Sequence, residues 1–312
     1  MNRRIMALIL GVLIVPAAAF GAEEFEKVGT IGGQFLKIPL GARPVAMGSA
    51  FVSLADDANA VFWNPAGIAR ISRTVASVHH AQLPADVSLT AASYVFHVGF
   101  MPGALAVSAR SLYMPEEAVR TVYHPDGTGE SFDAGDLAFG LSYGRSLTDK
   151  FSAGITVNYV QSTLATYSSS ATTFDFGTLY DTGYQSLRIG MAIQNIGSDM
   201  QFIEETVKMP AVFKVGMSMR LYEGANYRVM SSAEFSHPPD NSERANWGME
   251  VGYKDFFHFR GGYNFKNDTE GLALGMGVKV PASLNSEGTV NYAFVDGSDL
   301  GGIHRFSVDF RF

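Results

Sequence analysis

From about residue 74 to its end, this chain alternates apolar and polar side chains over runs too long for an ordinary sheet. Phe151, Ala153, Ile155, Val157 and Tyr159 interleave with Ser152, Gly154, Thr156 and Asn158. Leu187, Ile189, Met191 and Ile193 interleave with Arg188, Gly190, Ala192 and Gln194, and Leu272–Val280 and Phe306–Phe312 repeat the pattern. Period 2 puts each set on one face of a strand. A soluble sandwich and a membrane barrel both alternate, but sandwich strands run about five or six residues. These runs persist for about nine to eleven, the length that a tilted strand needs to cross a bilayer. The other face is Gly, Ala and Ser mixed with charges (Arg188, Lys214, Arg220, Arg228, Glu234, Glu250, Arg260, Asp309), which suits a crowded barrel interior.

The same reading gives fourteen strands, at about 74–82, 87–98, 103–113, 134–146, 150–165, 171–181, 184–197, 209–221, 226–236, 243–254, 255–265, 270–281, 286–295 and 302–312. Connections after even-numbered strands are mostly short, while Met114–Asp133 and Ser198–Lys208 are long. Short turns on one side and longer loops on the other mark the periplasmic and extracellular ends of an outer-membrane barrel. Aromatic residues near strand ends suit the membrane interface. The fold class expected is all-β: a transmembrane antiparallel barrel of about 14 strands with an N-terminal helical and turn hatch in its lumen.

Residues 1–21 read as a signal peptide: Arg3-Arg4, an apolar core from Ile5 to Val15, and small residues with cleavage between Ala19 and Gly21. The apolar run is too short to span a bilayer as a helix. Removing it leaves 21 basic and 30 acidic side chains, a net charge of about −9, which argues against a nucleic-acid partner. There is no cysteine, so no disulfide framework holds the exported chain. The expected layout is signal peptide 1–21, hatch 22–72 and barrel 73–312. The location is the outer membrane of a Gram-negative-type cell, with its lipid as surroundings.

Gly41–Gly67 does not alternate. It is rich in Ala, Gly and Met and ends on Trp63-Asn64-Pro65-Ala66-Gly67, where Asn64 suits a helix N-cap and Pro65 the first helical position. That predicts a short helix over Pro65–Arg70, with a second after Asp56 or Asp57, either of which would be its N-cap. Fourteen strands enclose more space than wall side chains fill, since about eight strands is where they suffice. A segment of small residues fits that space.

No phosphate loop, metal-spaced His or Cys cluster or nucleophile elbow is present, and the chain calls for no catalytic residue, metal or cofactor. His79 and His80 face opposite ways on one strand. His97, His258 and His304 could serve a Ser–His hydrolase only through a spatial contact at the barrel rim. Asp56-Asp57-Ala58-Asn59 lacks the glycine and the terminal Glu of an EF-hand. Asn267-Asp268-Thr269 matches a glycosylation triplet, which carries little meaning in a bacterial outer membrane.

Gly41-Ala42-Arg43, Ala46-Met47-Gly48, Ala50-Phe51-Val52, Leu54-Ala55-Asp56-Asp57 and Trp63-Asn64-Pro65-Ala66-Gly67 together resemble the N-terminal signature of the PorV/PorQ family, within the FadL-like superfamily of outer-membrane barrels. Pro44 and Ser49 depart from that pattern, where Ala or Gly is commoner. The resemblance implies a hatch whose determinants are Gly41, Arg43, Met47, Gly48, Asp56, Asp57, Trp63, Asn64, Pro65 and Gly67. The final Phe310-Arg311-Phe312 resembles the terminal signal, carried by Phe310 and Phe312, that the barrel-assembly machinery recognises. The function implied is a non-enzymatic accessory of type IX-like protein secretion or surface assembly, with secretion-system components or secreted cargo as partners. The alternative is a FadL-type channel for hydrophobic small molecules, which requires an apolar pocket behind Asn64–Gly67.

Overall fold

The computed structural model describes residues 31–265, 270–283, 286–298 and 301–312; the expected signal peptide and the Asn267–Thr269 triplet lie outside them. Fourteen antiparallel strands close into one barrel: β1 (Val75–Gln82), β2 (Ser88–Phe96), β3 (Ala104–Ala118), β4 (Ser131–Ser146), β5 (Phe151–Leu164), β6 (Tyr167–Asp181) and β7 (Arg188–Gly197) form one half. After a small hairpin of β8 (Met200–Phe202) and β9 (Glu205–Val207), the other half is β10 (Val212–Glu223), β11 (Tyr227–His237), β12 (Arg244–Tyr253), β13 (Phe257–Phe265), β14 (Leu272–Ser283), β15 (Ser286–Asp296) and β16 (Gly302–Arg311). β1 pairs with β16, Val75 opposite Arg311, and closure leaves no free edge.

The alternation sorts onto the two faces of the wall as period 2 requires. On β16, Ile303, Arg305 and Ser307 are buried inside, whereas Phe306, Val308, Phe310 and Phe312 are exposed on the outer face. Leu274, Met276, Val290 and Val308 are each about half exposed, and so broad an apolar band has lipid as its solvent. Rings gather at both rims of that band. Phe312 sits 5.6 Å from Phe310 and 6.4 Å from Tyr94, and Tyr227 lies 5.0 Å from Tyr253, at the rim that holds the chain's end. Tyr263 and Phe265, 4.8 Å apart, and Phe294, 5.5 Å from His304, mark the opposite rim.

Two of the longer connections differ from expectation. The 114–133 connection is partly strand, because β3 and β4 continue pairing to Ala118 and Ser131 and leave 119–130 as the loop. The 198–208 connection folds into the β8–β9 hairpin over the barrel mouth, with Met200 fully buried beside Phe35 and Leu36. Met200, with Phe202 and Val207 beside it, packs on Phe35, Leu36 and Met209, which is why that loop turns inward.

Residues 32–72 lie within the barrel and are almost wholly buried. They form a 3-10 turn at Gln34–Lys37, helices α1 (Ala42–Ala46) and α2 (Ala60–Trp63), and 3-10 turns at Pro65–Arg70. Met47, Phe51, Leu54, Trp63 and Ile68 make a core with Val75, Leu89 and Val95 of the wall. Wall glycines bring the two backbones together: a Cβ on Gly248 would run into Met47 O, and one on Gly177 into Asn64 Oδ1.

Candidate functional site

Short irregular turns leave most of their N–H and C=O groups unpaired, and a buried orphan of this kind costs about 1–3 kcal/mol. The polar side chains of the barrel interior meet that need. Phe51 N and Val52 N both donate to Glu234 Oε2 at 2.8 Å. Ser232 Oγ donates to Ala50 O at 2.6 Å, Gln194 Nε2 to Phe62 O at 2.8 Å, and Arg188 Nη1 to Leu54 O at 3.2 Å. Arg305 Nη1 donates to Pro39 O while Nη2 holds Glu270 at 2.9 Å. The mixed polar face of the strands is thus a set of partners for a particular backbone.

At the end holding the short turns, Arg43 on α1 is the centre of a charge network. Its Nη1 donates to Asp56 Oδ1 at 2.7 Å and Asp57 Oδ2 at 2.8 Å, and its Nε and Nη2 grip both oxygens of Glu250 on β12. Arg260 on β13 shares Glu250 at 2.6 Å and donates to Asn291 Oδ1, whose amide donates to Asp309. Burial alone would disfavour the Arg43 charge, but Glu250, Asp56 and Asp57 outweigh it and hold its pKa well above the ordinary arginine value. This network lines a vestibule of about 290 Å³ that also takes in His258, Lys279, Glu287 and Arg311.

The expectation that Asp56 or Asp57 caps a helix is corrected here. The N-cap of α2 is Asn59, without a side-chain cap bond, while Asp57 Oδ1 accepts from Asn59 N and Nδ2. A buried guanidinium needs counter-charges, and the two aspartates supply them. Asn64 does cap the turns at Pro65–Arg70, accepting from Ala66 N at 3.1 Å, although those turns are 3-10 rather than α. Its amide donates to Val52 O at 2.8 Å and to Thr178 O of β6 at 3.1 Å. Gly48, at φ 60°, sits where a Cβ would come 2.6 Å from Trp247 O and Tyr263 N, so only glycine fits. Gly41 packs against Asn59, Gly67 against Ala55 O, and Met47 is fully buried. Phe310 and Phe312 project outward from β16, apart from this cluster.

Toward the opposite end, Trp63 donates from Nε1 to Leu40 O at 2.9 Å, and its ring faces a second cavity of about 70 Å³. Beyond that cavity the segment is latched to two extracellular connections. Asp240, in the β11–β12 connection, accepts from Gln34 Nε2 at 2.7 Å and from Lys37 Nζ, also at 2.7 Å. Gly32 N donates to Lys208 O at 2.9 Å. Burial alone would raise the Asp240 pKa, yet the hydrogen bonds from Lys37 and Gln34 hold it below the usual carboxylate range. Asp240, the Glu270–Arg305 pair, Arg110, which donates to Leu36 O, and Asp175, which accepts from Asn195 N at 2.7 Å and Asn158 Nδ2 at 2.9 Å, carry no local sequence signal, because only the closed barrel brings such partners together.

The histidines separate as strand geometry requires. His79 is buried inside, with Nε2 3.0 Å from Ser77 Oγ, and His80 is exposed. That Ser–His pair is sealed beneath Phe62, and His79 Nδ1 has no partner to orient it as a base. Among the described residues, no group of three acidic or histidine side chains is placed to hold a metal.

A closed fourteen-stranded barrel with an apolar outer band, two aromatic rims and an N-terminal segment inside is an outer-membrane β-barrel protein. The family described as "Type IX secretion system protein PorV" matches residues 21–238, and the chain belongs to it. No curated protein matches the sequence. Among solved structures, the Ralstonia pickettii toluene transporter TbuX is similar at a TM-score of 0.59 and 14% identity, covering 87% of this chain and 97% of that one. The Pseudomonas putida toluene transporter TodX also gives 0.59, at 11% identity over 94% and 99%. A Pseudomonas aeruginosa FadL homologue gives 0.55, at 11% identity over 88% and 98%. At such identities these relate the fold alone.

Proposed function

We propose that the protein is a non-enzymatic accessory of type IX-like secretion, which receives secretion components or secreted cargo at its extracellular rim. The observation that carries this reading, beside family membership, is an uneven wall. β3, β4, β5 and β6 have 15, 16, 14 and 15 residues, against 8 to 12 in the other barrel strands. They stand above the rest of the rim and, with the 119–130 loop, present Val122, Tyr123, Leu164 and Tyr167 to solvent, Val122 and Tyr123 about nine-tenths exposed. Exposed aromatic and aliphatic side chains beyond the membrane are a protein-docking signature.

In this reading residues 22–72 are a hatch, Gly41 to Gly67 fix its shape, and Phe310 and Phe312 are read by the barrel-assembly machinery. Passage of hydrophobic compounds is the weaker alternative. The space behind Asn64–Gly67 is filled by the walls of β4, β5 and β6, and both cavities carry several charged side chains in their linings. The test is affinity purification of the tagged full-length chain from outer membranes, with and without residues 119–130. Recovery of type IX components or cargo C-terminal domains by the intact chain, and their loss on deletion, is the expected result. An intact chain that recovers neither would sink the reading.

A further inference from the structure

The cavity between Trp63 and the extracellular mouth holds more positive charge than its own side chains neutralise. Lys37, Arg110, Lys214 and Arg244 line it against two carboxylates, Glu234 and Glu270. Glu270 is bound to Arg305, whereas Glu234, which accepts two backbone N–H groups of the interior segment, keeps its charge within reach of Lys214. The buried Asp175 lies within electrostatic reach of Arg110 and Lys214, so two carboxylates face the three cations Arg110, Lys214 and Arg244. Lys37 is bound to Asp240. Among the described residues, Arg110, Lys214 and Arg244 form no salt bridge.

Their remaining contacts are weak ones. Arg110 is buried to 7% exposure and donates only to Leu36 O, at 3.3 Å, with its guanidinium 5.3 Å from the Phe62 ring centre. Lys214 Nζ lies 4.7 Å over the Trp63 ring, and Arg244 Nε is buried without a partner. Three cations against two carboxylates leave an excess positive charge and unused N–H donors around one space. An anion in that space would take their unused N–H donors as charge-assisted hydrogen bonds.

We infer that this cavity is a binding site for one small oxyanion, a phosphate, sulfate or short carboxylate, held between Arg110, Lys214 and Arg244 of the wall and the Phe62–Trp63 face of the interior segment. The size agrees: about 70 Å³ admits a few waters, at ~10–15 Å³ each, or one compact anion, but no long apolar tail. Because the site is half wall and half interior segment, its occupant would fasten the two together. This inference does not depend on the secretion reading.

The experiment uses the purified full-length protein in detergent at constant ionic strength, set with chloride. Phosphate, sulfate, acetate and octanoate are titrated while heat unfolding and Trp fluorescence are followed. The expected result is a saturable rise in the unfolding temperature with phosphate or sulfate, or with acetate, which would mark the site as selective for a dianion or a monocarboxylate respectively. Octanoate binds no better than acetate. Lys214→Met and Arg244→Gln each weaken the response at least tenfold; should Lys214→Met fail to assemble, Arg244→Gln alone carries the test. No saturable response beyond chloride, an undiminished response in Arg244→Gln, or much tighter binding of octanoate would overturn the inference.

Discussion

The two ends of the interior segment are fastened by opposite electrostatic arrangements. Toward the periplasm, Arg43 and Arg260 meet Asp56, Asp57 and Glu250 at 2.6–3.0 Å, and the chain of contacts runs on through Asn291 to Asp309. Toward the extracellular mouth, Arg110, Lys214 and Arg244 form no salt bridge among the described residues and outnumber the two carboxylates in reach, Glu234 and Asp175, and the segment is latched by Asp240 alone among acidic side chains of the loops described there. Matched charges spend their hydrogen-bonding capacity on holding the fold. Unmatched ones leave capacity for something else. The difference assigns fastening to one end and leaves the other available for a ligand.

The largest effect follows from breaking the matched end. Glu250→Ala leaves two buried guanidinium groups without their shared partner, and removing one member of such a network costs about 3–5 kcal/mol. Denaturant unfolding in detergent should show a loss of that order; a loss within experimental error would mean that water replaces the carboxylate at no cost. Next comes the middle of the segment. Asn64→Ala with Pro65→Ala removes the cap on Ala66 N and the donations to Val52 and Thr178, with about 0.5–2 kcal/mol for the cap itself. Conductance should rise in planar bilayers while the barrel stays assembled, and an unchanged trace would place the hold elsewhere.

The smallest effect concerns the Asp240 latch and its sign can be worked out. Its folded pKa is depressed, so the latch contributes fully above the ordinary aspartate value, about pH 4, and is lost as pH falls through the lowered value. Hydrogen exchange at residues 31–37 should quicken below about pH 4 in the wild-type protein, beyond the intrinsic pH dependence. Asp240→Asn should exchange at a pH-independent opening level throughout. Identical opening in the two proteins at neutral pH would show that the latch holds nothing.

Much of the wall is legible in the chain because a period-2 pattern has one solution once lipid lies outside. Each of the fourteen barrel strands falls where alternation puts it, and Phe306, Val308 and Phe310 face outward as read. The strand ends are less legible. β3 and β4 continue through Met114–Ala118 and Ser131–Asp133, where pairing outlasts the apolar signal because no lipid demands one. The β8–β9 hairpin is hidden for a similar reason: Met200 and Val207 find their apolar partners, Phe35 and Leu36, some 165 residues away in the chain. The polar interior was readable as polar, but not as a set of caps. That Glu234 serves Phe51 N and Val52 N, or that Arg43 draws Asp57 from its capping role, depends on which turn of the segment faces which strand.

The account stands on the Glu250-centred clasp as the principal hold on the segment. Single-channel recording of Glu250→Ala beside the wild-type protein tests it most directly, with barrel assembly checked by heat modifiability. Long-lived openings in the variant that the wild-type protein lacks are the predicted result. A variant as closed as the wild type, with its barrel intact, would contradict it.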